Sequence, residues 1–384
     1  MDSLRQFLSI LKIILSANTS WYLWNFRSGL LKRLVESGHQ VTVVCPLDEF
    51  SVDLERIGCK VETILIQNKG KNIFSDLWVF FQYFEVFWKY KPSVYFGFTV
   101  KPFVYGSIAA QLLRIRTIGT ITGLGTTFIR PTWVTTMVKL LYRVSGKKMS
   151  RVFFQNHTDK NLFVDLNLID RKKTEVVPGS GVDLDRFSFT KVIANRSPDA
   201  AVFLLIGRML RDKGVYEFVQ SALIVRNKYP AARFQLLGPT EVDNETAITF
   251  SKIQEWVDRD IVEYLGETRN VAPFIEYADC VVLPSYREGI PRTLLEGAAM
   301  GRPLLAARST GCEDVVDDKK TGFLFKPKSP EDLAAKIMNF IALTRLERHD
   351  MGKAGRKKIE EEFDERLVID KYLNAIEEDI IRII

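Results

Sequence analysis

The chain has 384 residues, 46% of them hydrophobic and 26% charged, with a formal net charge of +7. That length favours two domains over one, and the apolar share lets each half bury a core. No apolar run approaches the roughly 20 residues of a membrane-spanning helix, and Cys45, Cys59, Cys280 and Cys312 show no CxxC spacing, so buried thiols in a reduced, cytosolic chain are expected rather than a zinc or disulfide framework.

The charge is uneven. Residues 1–180 hold 24 Lys and Arg against 13 Asp and Glu, a balance of +11, and the remainder holds 30 against 34, a balance of −4. The basic half suits an anionic membrane surface. No nucleic-acid motif accompanies it, so nucleic acid is not expected as a partner.

In chain order, Phe7 to Ala17 is apolar but broken by Lys12, and Trp21-Tyr22-Leu23-Trp24 rather than a small-residue cleavage site follows it, so no targeting segment is expected. Lys12 to Ser16 reads as the first strand. Ala17-Asn18-Thr19-Ser20 follows, then a helix from about Leu23 to Ser37 that ends at Gly38. His39 to Cys45 and Val61 to Ile66 read as the next strands. Strands alternating with helices predict α/β architecture, a parallel sheet with right-handed crossovers and ligands at the carboxyl ends of the strands. The loop holding Asn18 is therefore a candidate acceptor contact, with Asn25 and Arg27 just beyond it. Arg27 is either a phosphate partner or a solvated helix arginine.

Ile73 to Tyr90 reads as a helix dense in aromatic residues, among them Phe74, Trp78, Phe81, Tyr83 and Trp88. It is either a core helix or, with Lys89, Lys91 and Lys101 alongside, one that lies in a membrane interface. Val94 to Phe98 and Thr117 to Thr122 read as strands, the second leading into Gly123-Leu124-Gly125, where two glycines permit either a close ligand or a plain tight turn. His157 follows the strand Val152-Phe153-Phe154, with Thr158 or Asp159 as the expected helix cap. Asp183-Leu184-Asp185 matches a DxD metal motif in form, but its place before a linker makes it coincidental. Lys191 to Asp199 reads as that linker.

The second half restarts with the strand Ala201 to Ile206, then Gly207-Arg208 and Lys213-Gly214 before a helix. Later Ala278 to Leu283 reads as a buried strand, followed by a loop with Arg287, Glu288, Gly289, Ile290 and Pro291. Thr293 to Met300 reads as the next helix, with Pro291 in its first turn. Two carboxylates, Glu288 in the loop and Glu296 in the helix, then flank a helix N-terminus that favours an anion. That arrangement suits a nucleotide-sugar, with hydroxyls at both ends and phosphate between. The alternative is a surface glutamate and an ordinary helix glutamate.

Glu288 and Glu296, with seven residues between them in the setting Arg-Glu-Gly-Ile-Pro, resemble the paired-glutamate motif of family-4 retaining glycosyltransferases of GT-B fold. The chain is most similar to bacterial members that act on lipid-diphosphate-linked acceptors. The resemblance implies two Rossmann-like domains with parallel sheets facing a central cleft. It implies an acceptor-binding, membrane-facing domain over 1–190, a nucleotide-sugar-binding domain over 191–362, and a last helix over 363–384 that returns to the first domain. It implies a UDP-sugar donor of N-acetylgalactosamine, galactose or galacturonate type and an undecaprenyl diphosphate-linked glycan acceptor. It implies work at the inner face of the bacterial cytoplasmic membrane, with no cofactor and no metal. By the same resemblance Arg208 and Lys213 bind the diphosphate and Glu288 the donor sugar, while Glu296 binds the ribose. Gly207, Thr268, Gly289, Ile290 and Pro291 line the donor site, and Asn18, Asn25, Arg27, Lys101, Thr122 and Gly123 the acceptor side. Thr122 stands where many members carry a histidine, and Asn18-Thr19-Ser20 replaces the family's usual glycine pair. A GT-B sugar-nucleotide epimerase and a non-catalytic nucleotide-sugar-binding membrane protein remain the other readings.

Overall fold

A computed structural model describes residues 10–66, 73–124, 133–190 and 197–381. The chain forms two compact units. One takes the chain up to Ser180 together with the last helix from Arg366, and the other is Gly181–Glu365. The expected linker start at Lys191 and residues 191–196 lie outside the described residues, but Val182, Leu184 and Phe187 already pack in the core of the second unit. The chain joins that unit well before its polar stretch.

The first unit is a seven-stranded parallel sheet of order β3-β2-β1-β4-β5-β6-β7. Its strands are β1 (Lys12–Ser16), β2 (Gln40–Cys45), β3 (Lys60–Thr63), β4 (Val94–Phe98), β5 (Arg116–Ile121), β6 (Arg151–Phe154) and β7 (Thr174–Val176). Strand β1 pairs with both β2 and β4, which places Ser16 opposite Val44 on one side and Gly97 on the other. The sheet is doubly wound, so its central strands are covered on both faces: β4 is buried along its whole length and β1 at all but Lys12. The helices Ser20–Glu36 and Glu365–Ile381 supply one face, where Leu23, Leu30, Leu31, Leu34, Tyr372 and Ile376 join the strand side chains. The helices Ile73–Tyr90, Ser107–Leu112 and Trp133–Gly146 supply the other.

The first helix starts at Ser20 because the Thr19 side chain accepts from the Tyr22 N–H at 3.1 Å, a standard N-cap. The aromatic helix Ile73–Tyr90 proves two-sided. Val79, Tyr83, Val86 and Phe87 are buried, whereas Leu77, Trp78, Phe81 and Trp88 are 49–65% exposed. Among the described residues no helix is long and apolar enough to cross a membrane.

The second unit is a six-stranded parallel sheet of order β10-β9-β8-β11-β12-β13. Its strands are β8 (Val202–Ile206), β9 (Arg233–Leu237), β10 (Glu263–Tyr264), β11 (Cys280–Leu283), β12 (Leu304–Ala307) and β13 (Gly322–Phe325). All four cysteines are free and buried. In each sheet the winding reverses once, between β1 and β4 in the first unit and between β8 and β11 in the second. The loops that leave these paired strands part to opposite sides and open a crevice, the usual ligand position in such sheets.

Candidate functional site

At the reversal point of the second unit, β8 ends at Ile206 and Gly207 follows it. Arg208 is exposed and Lys213 closes a short 3-10 turn before the helix Val215–Arg226. The loop after β11 lies against it. Gly214 has φ +74, and a Cβ there would sit 2.3 Å from the Pro284 carbonyl oxygen, so only glycine admits this approach. The Tyr286 N–H donates to the Asp212 carbonyl at 3.0 Å and fixes the register of the two loops.

The loop after β12 closes a third side. The Ser309 hydroxyl donates to the Ser285 carbonyl at 2.7 Å, and the Glu288 N–H donates to the Thr310 carbonyl at 3.0 Å. Gly311 has φ +82, and a Cβ there would lie 2.3 Å from the Gly289 carbonyl oxygen.

Three loops thus hold Glu288 rigidly, and its carboxylate forms an ion pair with Lys213. The pair is partly screened from water, with side chains 23% and 14% exposed for Lys213 and Glu288. In a partly desolvated crevice such a pair is stronger than its surface counterpart and still open to exchange with an incoming anion.

Helix Arg292–Ala299 follows. Pro291 is its N-cap residue rather than part of its first turn, so the helix begins and ends one residue earlier than expected. The cap makes no side-chain hydrogen bond to the helix, and the Leu294 N–H donates to the Pro291 carbonyl at 3.1 Å; the positive end of the helix dipole favours an anion there. Glu296 lies one turn in, 7% exposed, and the Arg292 Nε donates to its Oε1 at 2.8 Å. Burial pushes the Glu296 carboxyl above the ordinary glutamate range, and Arg292 and Arg186 offset only part of that rise. Gly289 is buried and Ile290 packs on the sheet core, so that part of the loop is scaffold as well as lining. Thr268 is exposed in the loop after β10, its hydroxyl bonded to Asn270.

The reversal point of the first unit is built without charge. The Asn18 N–H donates to Thr99 Oγ1 at 3.0 Å, and the Thr99 hydroxyl donates to Asn18 Oδ1 at 3.0 Å, tying the loop after β1 to the loop after β4. Thr99 has φ +62, a left-handed conformation that a β-branched residue adopts only under strain. Sequence reasoning missed Thr99, because nothing in Phe-Thr-Val-Lys-Pro signals a positive φ. Thr122 and Gly123 follow β5, half-buried, and Gly123 has φ +125. Gly125 lies outside the described residues.

Several expected contacts change place. Arg27 is neither solvated nor at a surface. It is 2% exposed, its guanidinium 4.5 Å from the Phe98 ring and 5.4 Å from the Tyr372 ring, and it donates to the Tyr22 hydroxyl at 3.2 Å. It lies on the buried face of its helix, with Leu23, Leu30, Leu31 and Leu34. Asn25 spends its amide on its own helix, donating to the Trp21 carbonyl at 3.0 Å.

Lys101 is 2.8 Å from Asp76 and Lys89 is 3.1 Å from Glu62, so two of the three lysines beside the aromatic helix carry an acidic partner. The cap before His157 is Asn156, which accepts from the Asp159 N–H at 2.7 Å, in place of Thr158 or Asp159. Asp183 accepts from the N–H groups of Asp185 and Arg186 at 3.0 and 2.9 Å, the role of a turn-forming aspartate.

Comparison with known proteins completes the description. Residues 12–156 match the family described as Glycosyl transferase 4-like, and residues 200–342 match Glycosyl transferases group 1. The chain is 26% identical over 365 residues, 91% of this chain and 94% of the other, to the N,N'-diacetylbacillosaminyl-diphospho-undecaprenol alpha-1,3-N-acetylgalactosaminyltransferase of Campylobacter jejuni. It is 23% identical over 265 residues to the UDP-Gal:alpha-D-GlcNAc-diphosphoundecaprenol alpha-1,3-galactosyltransferase of Escherichia coli, 66% of this chain and 68% of the other. In fold it is similar to a glycosyltransferase from Rickettsia africae, with TM-score 0.77, 18% identity and coverage of 96% of this chain and 98% of that one. It is equally similar to Anabaena HepE in complex with UDP-glucose, with TM-score 0.77, 16% identity and coverage of 96% and 100%.

Proposed function

We propose that this chain, which belongs to the GT-B glycosyltransferases with a 4-like first domain and a group 1 second domain, moves a galacto-configured sugar from a UDP-sugar to an undecaprenyl diphosphate-linked glycan with retention at the anomeric carbon. The observation that carries the reading is the Lys213–Glu288 pair at the reversal point of the second sheet, with Glu296 one turn into the adjoining helix. The two bacterial relatives named above, whose acceptors are diphosphoundecaprenol-linked, support the acceptor class and the galacto configuration.

Lys213 and the exposed Arg208 bind the donor diphosphate, and Lys213 exchanges Glu288 for a phosphate oxygen as the donor enters. Glu288 is thereby released to accept from hydroxyls of the donor sugar, and Glu296 accepts from the ribose. Thr268 and its neighbours contact the base, and Gly207, Gly289, Ile290 and Pro291 line the site. The acceptor hydroxyl attacks the anomeric carbon on the face that the diphosphate leaves. The bond from that carbon to the phosphate oxygen breaks, its electrons go to the diphosphate, and a phosphate oxygen takes the acceptor's proton. Charge grows on the leaving oxygen, and two cations beside a helix N-terminus stabilise it with no metal required. Asn18, Thr99, Thr122 and Gly123 form the acceptor side.

The first unit docks on an anionic bilayer, peripherally. Leu77, Trp78, Phe81 and Trp88 on one helix and Met137, Leu140 and Val144 on the helix Trp133–Gly146 are exposed on the same side of the sheet. Residues 101–150 contain eight Lys and Arg and no Asp or Glu. An apolar stripe beside a segment rich in cations and poor in acids is the chemistry of an interfacial helix.

Incubation with labelled UDP-N-acetylgalactosamine or UDP-galactose and a diphosphoundecaprenol-linked saccharide tests the function. A labelled glycolipid with an α-linkage is expected. An epimerised donor with no acceptor product would make the protein an isomerase, and UDP binding with no product at all would make it a binding protein.

A further inference from the structure

We propose that Arg292 is a positioning residue that holds the Glu296 carboxylate in place as the acceptor for the donor's ribose hydroxyls. The inference rests on the ribose assignment of Glu296 made above. Arg292 opens the helix Arg292–Ala299 and Glu296 lies four residues on, so the two side chains share one helix face. The contact is a 2.8 Å bond from Nε, and both side chains are largely out of water, 15% and 9% exposed. Bonding to Oε1 alone leaves the second carboxylate oxygen for a ligand.

The surroundings make the cation necessary. Glu296 is buried in a helix whose Leu294, Leu295, Ala298 and Ala299 pack in the sheet core, and a Cβ on the next residue, Gly297, would sit 2.8 Å from Val281. The charges acting on the carboxyl are Arg292 and, from the segment before Phe187, Arg186. Arg356, from the helix Arg345–Glu362 packed alongside, bonds instead to the Ala299 carbonyl at 2.9 Å, at the far end of the helix. Burial already raises the Glu296 carboxyl, and Arg292 is the largest influence opposing it. Without Arg292 the carboxyl holds its proton to higher pH, and a neutral carboxyl is a weaker, differently oriented acceptor for a hydroxyl.

The test is the affinity ratio of UDP to 2′,3′-dideoxy-UDP, measured by calorimetry on the full chain across pH. Both ligands carry the same diphosphate, so its own titration cancels. The native ratio is expected to be roughly tenfold or more, the value of a charge-assisted hydrogen bond, and flat around neutral pH. In Arg292→Gln the ratio falls towards one on the acid side and recovers as pH rises, its midpoint displaced upward by roughly one to three pH units. A native-like ratio at every pH in Arg292→Gln overturns the proposal. Arg292→Lys keeps the charge and carries the test if the glutamine variant does not fold. A flat ratio within about threefold of the native one supports the proposal, because one ammonium replaces one guanidinium bond, and a ratio of one overturns it. Glu296→Gln separates the two layers of the argument: if it leaves the ratio unchanged, the ribose assignment itself fails, whatever Arg292 does.

Discussion

The two sheets have the same winding and one reversal point each, yet the two points are built from opposite materials. Between β8 and β11 the chain places Lys213 against Glu288, with Arg292 against Glu296 a turn away. Between β1 and β4 it places Asn18 against Thr99, two neutral groups joined by reciprocal hydrogen bonds. Each arrangement carries a different cost. The charged crevice takes two carboxylates and two cations partly out of water, each cation paired with a glutamate. The neutral one stores backbone strain at Thr99. A site for a diphosphate has to keep cations fixed while empty, and pairing them with carboxylates does so without leaving them unsatisfied. In the first unit the cations are instead concentrated in residues 101–150.

The largest break in this comparison is expected at the charged crevice. Arg208→Ala or Lys213→Ala should each slow transfer by roughly 10²–10³, the scale for losing one charge-stabilising donor. Initial rates on protein with native circular dichroism check it, and near-native rates in both variants would remove the diphosphate assignment. At the neutral crevice Thr99→Ala keeps the strained φ but loses both hydrogen bonds. It should cost about 1–2 kcal/mol of stability and raise the acceptor KM while UDP affinity stays native, read by urea unfolding and calorimetry. A loss of UDP affinity in that variant would show that the division of labour between the units is wrong.

Membrane docking sharpens the contrast next. Low-salt co-sedimentation with anionic vesicles is expected, weakened by salt. Replacing Lys147 and Lys148 should cost about 1 kcal/mol per cation. Replacing Lys89 or Lys101, already opposed by Glu62 and Asp76, should cost less. No binding at low salt would sink the membrane-facing part of the proposal and leave the donor site untouched.

Glu296 gives a smaller, pH-linked effect. Its carboxyl is raised above the unfolded value, so the folded state binds that proton more tightly. The stability this confers is fully present below the ordinary glutamate range and is lost as pH rises through the raised value. Melting temperatures of the native chain should therefore fall relative to Glu296→Gln as pH climbs from acid through that window. A constant difference across the window would contradict the buried, destabilised carboxylate. The smallest effect expected is none: excess chelator, or Asp183→Asn with Asp185→Asn, should leave transfer unchanged, and activity lost to chelator and restored by Mg²⁺ or Mn²⁺ would reverse that reading.

Much of this was legible in the sequence, and the boundary of what was legible has a physical cause. Apolar runs, turn residues and helix starts act over a few neighbours, so the strands from Lys12–Ser16 to Leu304–Ala307 and the paired-glutamate loop could be read in order along the chain. Arg208, Lys213, Glu288 and Glu296 could be placed beside a strand end or a helix start from local signals, while the roles proposed for Arg208 and Lys213 came from the family resemblance. Partners were not recognisable, because strand order decides them. Lys213 meets Glu288 across 75 positions because β8 and β11 are neighbours, and Asn18 meets Thr99 across 81 because β1 and β4 are. The same holds for burial. Arg27 has the local look of a surface residue, and only the packing of Phe98 and Tyr372 over its helix takes it out of water. Tyr372 comes from the last helix of the chain, and the distance in sequence between it and Arg27 is what no local rule spans.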